Sequence, residues 1–336
     1  MSHMRRSLLP QVIGHRGAPG YRPEHTLASY RLAIALGAEA VEPDLVMTAD
    51  GVAVLRHETE ISHSTDVALH REFADRRTVK VLGGREVRGW FCEDFTLTEL
   101  KTLRAVEPLP AQRPRNTRWD GRFEIATFDE LLLLLAEESR RWDREIGLHI
   151  ELKSSSYLAS IGLPLEQTVL ATLRDHGLDR RESGVLLQSF ETTNLRWLRD
   201  RTDLPLVQLV EASGAPPDLA AVGDPTTYDD LCSHDGLRAV ARYADALGVA
   251  LSRLLARPAL VEGAHLAGLQ VLAWTVRDDD PTPHDAEVRF LLDLGVDGLF
   301  SDHPDTTLLV RDEWAAQQVD RQLSRAVPVA AAPGPG

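Results

Sequence analysis

Short β-like runs alternate with amphipathic segments of helix length along almost the whole chain, a rhythm that few architectures accept. Val12-Ile13-Gly14 reads as a strand, and Glu24 to Leu36 as a helix with Leu27, Tyr30 and Ile34 on one face, closed by Gly37. Ala40 to Val46 and, after the Asp50-Gly51 turn, Val52 to Leu55 are the next strands. The strand pattern returns at Gly147 to Leu152, Gly184 to Gln188, Leu206 to Val210, Ala246 to Ala250, Leu269 to Trp274 and Gly298 to Ser301. Helical segments near 128–140, 165–176, 192–201, 257–266 and 286–294 separate most of them. A βα unit repeated about eight times closes most naturally into a parallel (β/α)8 barrel. The expected fold class is therefore α/β, a TIM barrel with a small insertion domain.

The rhythm breaks between Glu58 and Arg122, where charges, Gly83-Gly84 and several prolines replace any sustained period. Residues 58–122 are expected to form an insertion within the barrel, after its second strand. Residues 211–236 read as a second, smaller irregular stretch. The barrel is expected to span 10–312. A C-terminal extension, 313–336, ends Ala-Ala-Pro-Gly-Pro-Gly and is expected to be disordered there. The 336 residues would allow two ordinary domains or one oversized barrel, and the alternation favours the barrel.

Charge narrows the partners. Lys and Arg number 37 against 51 Asp and Glu, a formal net charge of −14. That excess argues against nucleic acid or an anionic membrane as the main partner. It leaves room for a phosphate-bearing small molecule, because a local cluster of cations reverses the sign inside a cleft. Cys92 and Cys232 lack metal-type spacing, which excludes a disulfide scaffold and a cysteine zinc site. No apolar run reaches the length of a membrane-spanning helix. No apolar stretch of signal-peptide length precedes Val12 either, so a cytoplasmic protein is expected. Ser2-His3-Met4 resembles a cloning scar, and a trimmed leader would instead make the protein secreted or periplasmic.

In a parallel barrel the reacting groups come from the carboxyl ends of the strands. The first strand ends Gly14-His15-Arg16-Gly17. The second carries Glu42-Pro43-Asp44, two carboxylates at i and i+2 and so on one face. His149, Glu151 and Lys153 repeat that spacing on a later strand, Leu55-Arg56-His57 ends a short one, and Trp274-Thr275 and Ser301-Asp302 close two more. Glu42, Asp44 and Glu151 would repel one another at low dielectric unless a hard, oxygen-liganded cation such as Mg2+ or Ca2+ lay between them. A salt-bridge network with Arg16 and Lys153 is the structural alternative. His15 and His57 lie beside these acids as candidates to pass protons, with zinc ligation the competing use of either. Arg16 and Lys153 supply the positive charge that phosphoryl transfer requires. Trp274 is a candidate pocket wall or a core residue; Gln188 and Phe190 are weaker candidates of the same kind. The remaining histidines read as structural or surface residues.

Taken in order, His15-Arg16-Gly17, Pro23-Glu24-His25-Thr26, Glu42-Pro43-Asp44-Leu45, Asp50-Gly51 and Arg56-His57 resemble the glycerophosphodiester phosphodiesterase family. Ile150-Glu151-Leu152-Lys153, Leu187-Gln188-Ser189-Phe190, Trp274-Thr275-Val276 and Gly295 through Pro304 continue the likeness over roughly 11–310. The stretch from Glu60 to Leu97 is similar to the larger bacterial members, which carry an insertion after the second strand; His63 departs from their usual small residue. The resemblance implies metal-dependent hydrolysis of glycerophosphodiesters to glycerol 3-phosphate and an alcohol. It implies His15 and His57 as the acid/base pair, Arg16 and Lys153 as phosphate binders, and Glu42, Asp44 and Glu151 as ligands to one divalent cation. It also implies attack by the neighbouring glycerol hydroxyl through a cyclic phosphate. A related barrel phosphodiesterase acting on lyso- or sphingo-phospholipids is the runner-up, and a non-catalytic phosphate-ester binder is a third reading.

Overall fold

The computed structural model describes residues 9–279 and 283–326. Its strands, in chain order, are β1 (Gln11–His15), β2 (Ala40–Glu42), β3 (Asp44–Met47), β4 (Ala53–Leu55), β5 (Thr78–Leu82), β6 (Arg85–Gly89), β7 (Gly147–Leu152), β8 (Val185–Ser189), β9 (Leu206–Val210), β10 (Ala246–Ala250), β11 (Gln270–Val276) and β12 (Gly298–Ser301). β2 and β3 are one barrel strand interrupted at Pro43, since both run parallel to β7. Proline has no N–H for the ladder, yet its carbonyl still accepts from Glu151 N at 2.9 Å. With that strand counted once, the parallel order β1, β2/β3, β7, β8, β9, β10, β11, β12 returns to β1 and closes an eight-membered barrel.

Period-two alternation sorts each strand into two faces. Ile13, Leu186, Val207, Leu209, Leu272 and Phe300 fill the lumen. Val41, Leu45, Ile150, Leu187, Val249 and Leu299 face the helices and merge with their apolar stripes in the main core. The helix Phe128–Trp142 shows why such segments are helical. A Thr127/Glu130 capping box starts it, Leu131, Leu132, Leu134 and Leu135 form its buried stripe, and a left-handed Asp143 stops it. Leu251–Ala256 is an additional helix preceding Leu260–Leu266, where the sequence suggests one helix from 257.

Between β4 and Phe128 the chain is irregular but organised. β4 turns back antiparallel onto β3, and β5 and β6 form a separate hairpin across Gly83-Gly84. Phe73, Trp90, Phe95, Leu100, Leu103 and Ile125 gather into their own apolar cluster against Val46 and Val54. Residues 211–236, expected to be irregular, hold Pro217–Ala221, Tyr228–Leu231 and the start of His234–Val240 as short helices. The expected division at 312 falls inside one helix, Pro304–Ala326. That helix continues because Val310 is buried and Arg311 bonds Glu39 at 2.7 Å and the Pro10 carbonyl at 3.1 Å, docking it against the start of β1. The tail from 327, expected to be disordered, lies outside the described residues. Both cysteines are free, Cys92 buried and Cys232 partly so.

Candidate active site

Sheet register assembles the site. His15 stands beside Glu42, Asp44 beside Glu151, and Glu151 beside Gln188 in adjacent parallel strands, all at the carboxyl end of the barrel. His15, Arg16, His57, Lys153, Gln188 and Trp274 share with Glu42 and Glu151 a cavity of about 220 Å³, walled also by Phe190, Glu58, Glu211 and Arg277. Asp44 lies beneath it, buried. The candidates chosen from sequence therefore converge on one barrel mouth.

Glu42, Asp44 and Glu151 each offer an oxygen, and the three oxygens lie within 4.8 Å of one another. Their surroundings differ. Asp44 accepts from His25 Nε2 at 3.0 Å and lies 3.2 Å from Arg16 Nε, while its second oxygen, Oδ1, has no hydrogen-bond donor. Burial alone would raise the Asp44 pKa, but Lys153 and Arg16 hold it well below the usual carboxylate range. Among the described residues, Glu42 has only the Arg16 backbone N–H and the Gln188 amide as donors, each at 3.1 Å. Burial, with Asp44 and Glu151 adding repulsion, pushes it well above that range. Glu151 is pushed up to about 8 by burial, although Lys153 Nζ lies 2.8 Å away. Arg16 is shared with Glu24, whose carboxylate accepts from Nη1 at 2.7 Å. The salt-bridge network expected as the alternative is thus present, but it leaves two of three acids under-compensated and one buried oxygen without a donor. Such a donor set fits one hard divalent cation.

The two histidines flanking this cluster are held differently: His15 by a hydrogen bond to a buried carboxylate, His57 by an ion-pair contact with its exposed neighbour. His15 Nδ1 lies 2.6 Å from Asp302 Oδ1, and His57 Nδ1 lies 3.1 Å from Glu58 Oε1. A carboxylate only accepts, so His15 Nδ1 carries a proton toward Asp302. Burial, with Arg16 adding repulsion, lowers the His15 pKa to about 4. Burial, then Lys153 and Arg16, also lowers that of His57. Burial thus favours the neutral form of each. Trp274 packs edge-to-face on Phe190 at 5.6 Å, and its buried Nε1–H has no partner among the described residues.

Sequence reasoning passed over several residues. His25, left among the structural histidines, is fully buried and bonds both Asp44 and Tyr30 Oη, the latter at 2.9 Å. Its position inside Pro23-Glu24-His25-Thr26 was the available signal. Asp302 was visible as a polar residue ending a strand. Arg113 and Arg277 also converge on Asp302, and nothing in the aperiodic segment around Arg113 marks it.

The profile of the glycerophosphoryl diester phosphodiesterase family matches residues 15–306. A glycerophosphodiester phosphodiesterase of Arabidopsis thaliana is 31% identical over 323 residues, covering 87% of this chain and 83% of the relative. One from Haemophilus influenzae is 27% identical, with 88% of each chain covered. A solved structure from Silicibacter pomeroyi superposes with a TM-score of 0.69 at 26% identity, covering 93% of this chain and 96% of that one. A phosphodiesterase from Oleispira antarctica, solved in complex with the product sn-glycerol-3-phosphate, shares the fold with a TM-score of 0.65 at 22% identity, covering 90% and 97%. With a family match across this much of its length, and the same barrel in solved relatives, the chain belongs to the glycerophosphoryl diester phosphodiesterase family.

Proposed function

We propose that the protein hydrolyses glycerophosphodiesters to glycerol 3-phosphate and an alcohol. In this reading His15 and His57 are the acid/base pair, and Glu42, Asp44 and Glu151 hold one divalent cation, Mg2+ or Ca2+. One observation carries it: His15 and His57 line one cavity over three mutually close carboxylates whose charge is under-compensated. The names of the relatives support the substrate class, and the glycerol phosphate in the Oleispira structure supports the glycerol side.

The cation, when bound, would polarise a phosphate oxygen and lower the pKa of a nearby hydroxyl. The chain's own groups account for the rest. One histidine, neutral, takes the proton of the attacking glycerol hydroxyl at Nε2, while the other enters the step as imidazolium and gives its Nε2 proton to the leaving alcohol oxygen. Attack by a hydroxyl of the same substrate gains from high effective molarity and gives a cyclic phosphate, which water then opens. Imidazolium formed at His15 is stabilised by Asp302, buried at 2.6 Å. Arg16 and Lys153 face the phosphate with positive charge, each oriented by a carboxylate at 2.7 or 2.8 Å. Gln188 orients Glu42, and Trp274 offers its free N–H and its ring as the pocket wall. Residues 58–122 are assigned as an insertion into a barrel spanning 10–312.

Substituting His15 or His57 by Ala is expected to reduce turnover of glycerophosphocholine by about 10²–10⁴-fold in protein that still folds. Undiminished turnover in either variant would remove that histidine from the mechanism.

A further inference from the structure

We propose that Arg113, delivered by the irregular segment between β4 and Phe128, is a positioning residue that fixes His15 through Asp302. The proposal rests on the reading of His15 as an acid/base group. Asp302 offers two oxygens. Oδ1 accepts from His15 Nδ1, and Oδ2 accepts from Arg113 Nη2 at 2.5 Å and from Arg277 Nε at 2.9 Å. Pinning both oxygens fixes the carboxylate plane, and with it the imidazole orientation and tautomer.

The two arginines are not equivalent. The Arg113 side chain is 4% exposed, whereas that of Arg277 is 34% exposed and borders the cavity. A guanidinium in contact with solvent is free to exchange its partner for water, and a buried one is not. Arg113 is also held at its other edge, where Nε donates to Asp279 Oδ2 at 2.5 Å. The planar fork thus bridges two carboxylates on the loops that follow β11 and β12.

The segment bearing Arg113 is itself tied to the loop after β1. Asn116 Nδ2 donates to the Pro19 carbonyl at 2.8 Å and to Glu107 Oε2 at 3.0 Å. Glu107, Arg113 and Asn116 are all buried, in a stretch whose neighbours are largely solvent-exposed. Long irregular segments ordinarily keep such side chains in water. Here they reach inward and end on the carboxylate that holds His15, so a part of the chain outside the barrel completes the site within it.

The test is a double-mutant cycle on cation-saturated enzyme, reading kcat, KM and melting temperature with glycerophosphocholine. Arg113→Met is expected to lower kcat about tenfold with KM changed less than about twofold. Arg113→Lys, which keeps the charge, should recover kcat to within about threefold of wild type. In an Asp302→Asn background Arg113→Met should cost nothing further, because the two act as one unit. Should Arg113→Met fail to fold, Arg113→Gln carries the same cycle. Equal losses in both backgrounds, or a fall in melting temperature with kcat unchanged, overturns the proposal. His15→Ala separates the two levels. If it is inactive while the cycle is additive, only the role of Arg113 is wrong; if it is fully active, the acid/base reading fails and this proposal falls with it.

Discussion

Two buried acidic sites lie at the same barrel mouth and have opposite electrostatics. Asp302 meets His15, Arg113 and Arg277, and its carboxyl is held well below the usual range, His15 being the largest favourable influence against the cost of burial. Glu42 and Glu151 meet each other and Asp44, and both are pushed up. Burial is nearly the same at the two sites; the partners differ. A buried carboxylate surrounded by fixed cations serves to orient a neighbour. Carboxylates turned toward one another with too few cations are poised for a mobile one.

The contrast breaks most visibly on mutation. Asp44→Asn removes the one member of the cluster that is charged without a cation, and leaves Arg16, His25 and Lys153 without their shared anion. Activity on glycerophosphodiesters is expected to fall by at least about 10²-fold, since ligand and electrostatic support disappear together. A variant within a few-fold of wild type would place the chemistry elsewhere.

A smaller effect is expected on stability, with opposite sign at the two sites. The folded pKa of Asp302 is lowered, so its contribution is present above about 3.8 and is lost as pH falls below that. The folded pKa of Glu151 is raised from 4.5 to about 8, so its contribution is present below 4.5 and is lost as pH rises through 8. The buried histidines, lowered from 6.5, still gain stability as the unfolded imidazoles lose their protons around pH 6.5, a change complete by about pH 7.5, so the comparison starts there. Chelated protein should therefore melt about 2 °C lower at pH 8.5 than at pH 7.5. Saturating Mg2+ or Ca2+ should remove that difference, because a bound cation replaces the proton on Glu151. Equal melting shifts with and without cation would contradict this assignment.

How legible these sites were in the sequence follows from their local periodicity. β7 is read from the sequence with the bounds Gly147 and Leu152, and β9, β10 and β12 match equally well, because fully buried parallel strands are dense in apolar residues. The i, i+2 spacing of Glu42 and Asp44 survives the break at Pro43, since both flank it in one extended strand. Their convergence with Glu151 needed only parallel register. The β5–β6 hairpin escaped notice despite Gly83-Gly84. Val79 and Val81 are 40% and 61% exposed, so no buried face imposes alternation on the sequence. Arg113 escaped for a related reason: its partners Asp279 and Asp302 lie 166 and 189 residues away, and no local pattern encodes such a contact. His25, read as structural, is buried and bonds Asp44, a partner to which only its place in Pro23-Glu24-His25-Thr26 pointed. The cation-poised site was thus written in strand periodicity, and much of the clamp around Asp302 was not.

Calorimetric titration of chelated protein with Mg2+ and with Ca2+ tests the central claim, that Glu42, Asp44 and Glu151 form a cation site. At pH 7.5 the wild type should take up one ion per chain with release of protons, and Asp44→Asn or Glu151→Gln should weaken uptake by at least about tenfold. Uptake of neither ion by the wild type, or undiminished uptake by both variants, would contradict it.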